Sequence, residues 1–181
     1  MNTAYDTVPA SACVQNGKAD EPGRILFVCT GNTCRSPMAA ALYNDMRRPQ
    51  EVCSACPEPH EPGRMVAFSA GLYANEGEPI SADALRALQE AGVRPVTEND
   101  YTLHRAQNVS GELIDSVDLV VAISGRHAME LMLRFPEHAA KIETFPMDIA
   151  DPYGGDDATY RACLDMLSYA ITLRWFSGKE A

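Results

Sequence analysis

The sequence is poor in basic residues and has no long apolar run. Its 181 residues include 15 Lys and Arg against 25 Asp and Glu, which gives a formal charge of -10. So little positive charge argues against a large nucleic-acid interface. No apolar stretch approaches the ~20 residues that a membrane-spanning helix needs, and no basic segment followed by an apolar one opens the chain. We therefore expect a cytoplasmic protein whose partners include neither nucleic acid nor membrane.

Cysteine is also scarce for a disulfide-stabilised protein of this length. There are six cysteines, and without a secretion signal we expect reduced thiols. Cys53 and Cys56, followed by His60, offer three metal ligands, whereas a structural zinc takes four. We expect an insertion that holds no metal, with a zinc site and a redox pair as alternatives. The sequence predicts no cofactor.

The hydrophobic content of 46% is enough for one good core, so we expect a single domain. Residues 1–23 show no apolar periodicity and are predicted to be a flexible tail before a domain at residues 24–178. A surface insertion is predicted at about residues 49–63, where four prolines prevent regular structure.

Short apolar runs and helix signals alternate along the domain. Strands are predicted at residues 25–28, 66–69, 118–123 and 142–145. Helices are predicted at residues 36–48, from Ser81 to near Gly92, at 111–116, 125–135 and 157–176. This alternation indicates a three-layer α/β/α fold with a four-stranded parallel sheet, in which ligands bind beyond the carboxyl ends of the strands.

The segment from Cys29 to Ser36 reads Cys-Thr-Gly-Asn-Thr-Cys-Arg-Ser and joins the first strand to the first helix. Amides at a helix N-terminus bind anions and favour a thiolate, and the planar donors of Arg35 match two phosphoryl oxygens. Gly31 permits a tight turn and Asn32 tolerates left-handed backbone angles, while the Ser36 hydroxyl can donate to the sulfur. The segment therefore predicts a phosphate-binding loop in which the Cys29 thiolate attacks phosphorus and forms a phosphocysteine.

A leaving group needs a proton, and the donor is expected at the same edge of the sheet. Asp151 follows the fourth strand, and Pro152 keeps its backbone extended. Asp148 is the nearest competitor for this acid role. Tyr153 is expected to form an aromatic wall for the substrate.

The segment from Cys29 to Ser36 resembles the low-molecular-weight protein-tyrosine phosphatase family, and so do three later segments, Ser69-Ala70-Gly71, His104-Arg105-Ala106 and Asp151-Pro152-Tyr153-Gly154. The resemblance extends from about Arg24 to Phe176. The resemblance implies that Cys29 is the nucleophile, Arg35 the phosphate-binding arginine and Asp151 the general acid. It also implies a stiffening network of Asn32, Ser36, Ser69 and His104. Thr30, Gly31, Thr33 and Cys34 complete the loop, and Cys34 is expected to form a reversible disulfide with Cys29. The expected partners are phosphorylated proteins, and the expected state is a monomer or weak homodimer.

Thr33 is consistent with either of two substrates, phosphotyrosine or phosphoarginine. Many tyrosine phosphatases of the family carry a larger aliphatic residue there, whereas the bacterial protein-arginine phosphatase branch carries Thr.

Three other functions are less consistent with the residues. An arsenate reductase needs two further cysteines downstream, and none lies between Cys56 and Cys163. A phosphocarrier domain with a phosphorylated Cys does not need Arg35 or Asp151, and the intact set argues against a catalytically silent phosphate-binding module.

Overall fold

The computed structural model describes residues 23–47, 66–95 and 99–177. The predicted insertion and all but the last residue of the predicted tail lie outside these ranges. The strands are β1 (Arg24–Cys29), β2 (Val66–Gly71), β3 (Leu119–Ala122) and β4 (Ile142–Thr144). The α-helices are α1 (Arg35–Met46), α2 (Ala82–Glu90), α3 (Gly111–Asp115), α4 (Gly125–Arg134) and α5 (Asp157–Ile171).

The four strands form one parallel sheet in the order β2-β1-β3-β4, as the alternating pattern predicts. β1 lies in the interior of the sheet, and its last residue, Cys29, is in register with Gly71 at the end of β2. The carboxyl ends of these two strands therefore meet at one edge of the sheet.

Side chains of β1 alternate between two hydrophobic clusters, one on each face of the sheet. Ile25 and Phe27 belong to a cluster with residues of α1, α2 and α5. Leu26 and Val28 belong to a second cluster with residues of α3 and α4. The predicted three-layer arrangement is confirmed, because a strand with a period of two residues buries both of its faces.

The C-terminal helix differs from the prediction of a regular helix to Phe176. The α-helix α5 ends at Ile171, and Thr172–Phe176 form a π-helical turn. The Trp175 ring lies 5.1 Å from the Tyr43 ring and 6.1 Å from the Phe27 ring, measured between centroids. The wider turn accompanies this aromatic packing, which a 3.6-residue pattern does not encode.

Two helix ends also differ in detail from the sequence prediction. Ser81 caps α2 at its predicted start by accepting a hydrogen bond from the Ala84 amide, but α2 ends at Glu90, two residues before the predicted end near Gly92. α1 begins at Arg35, one residue before its predicted start, and the Ser36 side chain faces the loop.

Across the described ranges, none of the helices has both the length and the apolar composition needed to cross a bilayer.

Candidate active site

The loop from Thr30 to Cys34 connects β1 to α1 at the carboxyl edge of the sheet. Asn32 has a φ of 56°, in the left-handed region that asparagine tolerates better than most residues. The end of β2 packs closely against this loop. A Cβ atom on Gly71 would lie 2.6 Å from the Thr30 carbonyl oxygen, so only glycine fits there without moving the backbone.

The carbonyl groups of the loop are bound by its surroundings. The Leu72 and Tyr73 amides donate to the carbonyls of Cys29 and Thr30, each at 2.9 Å. The Ser81 amide donates to the Thr33 carbonyl, also at 2.9 Å. Because the N–H and C=O of a peptide unit point in opposite directions, outward carbonyls leave the loop amides directed inward, where an anion can bind.

The Cys29 sulfur is buried and lies 3.0 Å from the Ser36 hydroxyl oxygen. The Ser36 oxygen is also 3.1 Å from the Ala70 carbonyl oxygen. Its hydroxyl is held in place by the Asn32 side-chain amide, which donates to it at 3.0 Å. The structure therefore places a hydroxyl donor directly beside the predicted nucleophile.

Asn32 connects the loop to β2 and to the segment after the short helical turn Tyr101–Leu103. Its side-chain amide nitrogen donates to Ser69 at 2.9 Å, and its side-chain oxygen accepts from the Gln107 backbone amide at 2.9 Å. The His104 ring donates from Nε2 to the Asn32 carbonyl at 2.7 Å. Sequence reasoning missed Gln107, because a backbone amide leaves no side-chain signature.

His104 acts in this network as a neutral donor. Burial lowers its pKa, and the nearby Arg105 lowers it further, although the bond to Asn32 opposes the shift. A neutral imidazole with its hydrogen on Nε2 satisfies the Asn32 carbonyl without placing a charge under the loop.

Arg35 and Asp151 form an ion pair with 2.5 Å between Nη2 and Oδ2. Arg35 is buried, whereas half of the Asp151 side chain is exposed. Asp148 has a different role, since its Oδ1 accepts from the Gly125 amide at the start of α4 at 2.7 Å. Of the two candidate acids, Asp151 is the one in contact with Arg35, the predicted phosphate-binding arginine.

Tyr153 and Thr33, the two residues predicted to contact the substrate, have different surroundings. Tyr153 is 79% exposed, and its backbone amide donates to Asp151 Oδ1 at 3.3 Å, so its ring stands in solvent beside the predicted acid. The Thr33 hydroxyl lies 3.7 Å from the Cys34 sulfur. Cys34 also contacts the hydroxyls of Ser81 at 3.3 Å and Tyr160 at 3.5 Å.

A second group that sequence reasoning missed lies behind Thr30. The Thr30 hydroxyl is 2.9 Å from Nε2 of the buried His127, whose Nδ1 is 2.8 Å from the Ser124 hydroxyl. Ser124 follows β3 and His127 lies in the first turn of α4. Their position just after a strand was the feature of the sequence that could have placed them near the site.

Within the described ranges, no three His, Cys, Asp or Glu side chains are grouped as metal ligands. Cys29, Cys34 and Cys163 are free thiols there. Cys53, Cys56 and His60 lie outside these ranges.

A buried thiol at a strand end, a loop that can bind an anion and an arginine paired with an aspartate are the features expected of a phosphatase with a cysteine nucleophile. The model of the low molecular weight phosphotyrosine protein phosphatase family matches residues 24–175, and the chain belongs to this family of hydrolases.

Similar proteins include phosphatases named for arginine and for tyrosine. A protein-arginine-phosphatase of Geobacillus stearothermophilus is 38% identical over 159 residues, which cover 83% of this chain and 92% of the relative. The solved YwlE arginine phosphatase from Geobacillus stearothermophilus aligns with a TM-score of 0.67 at 37% identity, over 82% of this chain and 87% of that one. A low molecular weight protein tyrosine phosphatase from T. tengcongensis also aligns with a TM-score of 0.67, at 34% identity over 82% and 94% of the two chains.

Proposed function

We propose that this protein phosphatase hydrolyses phosphoarginine in proteins in preference to phosphotyrosine. The observation that carries the proposal is the environment of Thr33 in the phosphate-binding loop. Its carbonyl is bound by the Ser81 amide, while the closest partner of its hydroxyl is a thiol 3.7 Å away. A thiol is a weak partner, so the hydroxyl remains available to a substrate.

The two leaving groups place different demands on the site. A guanidinium group presents N–H donors and needs acceptors, which the Thr33 hydroxyl and the Asp151 carboxyl can supply. A phenol ring is better matched by an aliphatic residue at this position. The similarity to the arginine phosphatase of Geobacillus stearothermophilus, in sequence and in solved structure, supports the same preference.

The first chemical step transfers the phosphoryl group to sulfur. The Cys29 thiolate attacks phosphorus, the S–P bond forms and the P–N bond to the guanidine breaks. Asp151 donates a proton to the leaving nitrogen, so that a neutral guanidine leaves and no unstable anion forms. The loop amides and Arg35 hold the charge that spreads over the equatorial oxygens.

The second step hydrolyses the phosphocysteine. The Asp151 carboxylate accepts a proton from water, the water oxygen attacks phosphorus and the S–P bond breaks. Inorganic phosphate leaves, and both the thiolate and the protonated acid are restored.

Phosphotyrosine is the second candidate substrate. The exposed Tyr153 ring beside Asp151 can stack on a substrate ring, and the T. tengcongensis relative is named a tyrosine phosphatase.

A direct comparison of matched peptides tests this preference. We expect a higher kcat/KM for a phosphoarginine peptide than for a phosphotyrosine peptide of the same flanking sequence. The nearly isosteric Thr33→Val should lower phosphoarginine turnover about fivefold, because one polar contact is worth roughly 1 kcal/mol, and leave phosphotyrosine turnover nearly unchanged. Cys29→Ser is the inactive control. An absence of measurable phosphoarginine turnover would contradict the proposal.

We further propose a single domain at residues 24–178 that acts in the cytoplasm as a monomer or weak homodimer. The free thiols of the described residues suit a reducing compartment. Sedimentation of the purified chain at several concentrations tests its oligomeric state.

A further inference from the structure

We propose that His127 is a positioning residue for phosphate binding, because it orients the Thr30 hydroxyl toward the guanidinium of Arg35. This role rests on the proposed use of Arg35 as the phosphate ligand. His127 lies on α4, outside the loop and outside every motif that identified the site.

The contacts form a continuous chain from α4 to Arg35. His127 is 5% exposed, and its two ring nitrogens contact Ser124 at 2.8 Å and Thr30 at 2.9 Å. The Thr30 hydroxyl oxygen in turn lies 3.5 Å from Nη2 of Arg35. Both ring nitrogens of a buried histidine are thus used to hold hydroxyl groups.

One arrangement of the hydrogens makes each hydroxyl and each ring nitrogen in this chain a partner of the next. A guanidinium nitrogen can only donate, so Thr30 accepts from Arg35 and its own hydrogen is free to point to His127 Nε2. The ring then carries its hydrogen on Nδ1 and donates to Ser124. This arrangement requires a neutral His127.

The surroundings of His127 favour the neutral ring. Burial lowers its pKa, and the positive charge of Arg35 lowers it further. Asp151 and Glu130 act in the opposite direction, while Arg126 adds a smaller lowering effect.

The position of the Thr30 contact explains why it matters for phosphate. Nη2 of Arg35 contacts both Thr30 and Asp151. When phosphate binds, it competes with Asp151 for this nitrogen, whereas the Thr30 contact can persist. Thr30, held by His127, therefore keeps the guanidinium plane aligned while its partner changes from carboxylate to phosphoryl oxygen.

Calorimetric binding of inorganic phosphate tests the role without requiring turnover. Thr30→Val removes the hydroxyl, and His127→Asn keeps a polar group near Ser124 but withdraws the partner of Thr30. Each should weaken phosphate binding about fivefold, the size of one net hydrogen bond. The double variant should bind no more weakly than either single one, because both changes break the same chain.

Conservative variants separate positioning from general damage to the fold. His127→Gln can place an acceptor near the position of Nε2 and should restore most of the affinity. His138→Asn is the control, because His138 follows the C-terminal end of α4, at the opposite edge of the sheet, and should leave phosphate binding unchanged.

Wild-type affinity in His127→Asn, multiplied losses in the double variant, or no restoration by His127→Gln would each overturn this role. Normal phosphate binding without hydrolysis of any phosphopeptide would instead count against the proposed function alone.

Discussion

Ser36 has one hydroxyl hydrogen and two acceptors within reach, the Cys29 sulfur at 3.0 Å and the Ala70 carbonyl at 3.1 Å. When Cys29 is a thiol, it can donate to Ser36 while Ser36 donates to Ala70. When Cys29 is a thiolate, the Ser36 hydrogen can turn to the sulfur. Since Asn32 fixes the serine oxygen from the other side, the thiolate gains a donor without any movement of heavy atoms.

At the residue scale, the two neighbouring aspartates should differ in their effect on catalysis. Asp151→Ala should lower kcat by about 100-fold or more, because general acid catalysis typically contributes 10²–10⁴-fold. Asp148→Ala should cost far less, because this carboxylate binds a helix amide instead of Arg35. Steady-state kinetics on both variants checks the assignment, and a larger loss in Asp148→Ala would refute it.

Cys34 should protect Cys29 from irreversible oxidation by peroxide. A sulfenic acid on Cys29 condenses with the Cys34 thiol to a disulfide and releases water, which blocks further oxidation. After peroxide treatment, we expect thiols to restore wild-type activity but not the activity of Cys34→Ser. Equal recovery of the two proteins would argue against the disulfide.

At the scale of elements, the loop is shaped by the ends of neighbouring strands and helices more than by its own contacts. β2 supplies Gly71 and the adjoining Leu72 and Tyr73 amides, and the N-cap of α2 supplies the Ser81 amide. Each element contributes a backbone group at its end. The loop therefore keeps its conformation only when β2 and α2 are packed against it.

Gly71→Ala should disturb the active site through the backbone alone. Its Cβ would lie 2.6 Å from the Thr30 carbonyl oxygen, so the loop must shift, and a displacement of about 1 Å can cost about 100-fold in rate. We expect a large fall in kcat/KM measured with an aryl phosphate.

Gly111→Ala is the matched control for this prediction. Its added Cβ meets only the His138 ring, at an ordinary 3.9 Å. Similar losses of activity in the two variants would show that the close approach of β2 to the loop is unimportant.

At the scale of the whole molecule, two histidines with lowered pKa values link stability to pH. Burial lowers the pKa of both His104 and His127 below the ordinary value of 6.5. Below pH 6.5 the unfolded chain takes up protons at these positions before the folded protein does, so acid favours unfolding.

The free energy of unfolding should therefore fall as the pH drops from about 7.5 to about 5.5. Denaturant titrations at a series of pH values measure this slope. The double variant His104→Asn with His127→Asn should show a shallower slope, although it starts from a lower stability. An unchanged slope would mean that the two rings titrate alike in the folded and unfolded states.

Most of the fold was predictable because its signals are local. The apolar runs of the strands, the Ser81 cap and the alternation of elements predict a parallel sheet with helices on both faces, and the structure confirms this arrangement. The predicted end of α5 was wrong, since the regular helix stops at Ile171 and a π-helical turn follows, in which Trp175 packs against the distant Tyr43 ring.

The candidate site also has features that the sequence predicts and features that it does not. By itself, the sequence determined the loop motif, the family and the chemistry of thiol, arginine and carboxylate, because these depend on residue types at fixed spacing. Only the tertiary structure decided which carboxylate meets Arg35, that a Gln107 backbone amide supports Asn32, and that His127 stands behind Thr30. Thr30 and His127 are 97 positions apart, and no local pattern joins residues whose contact depends on the docking of α4 against β3 and β4.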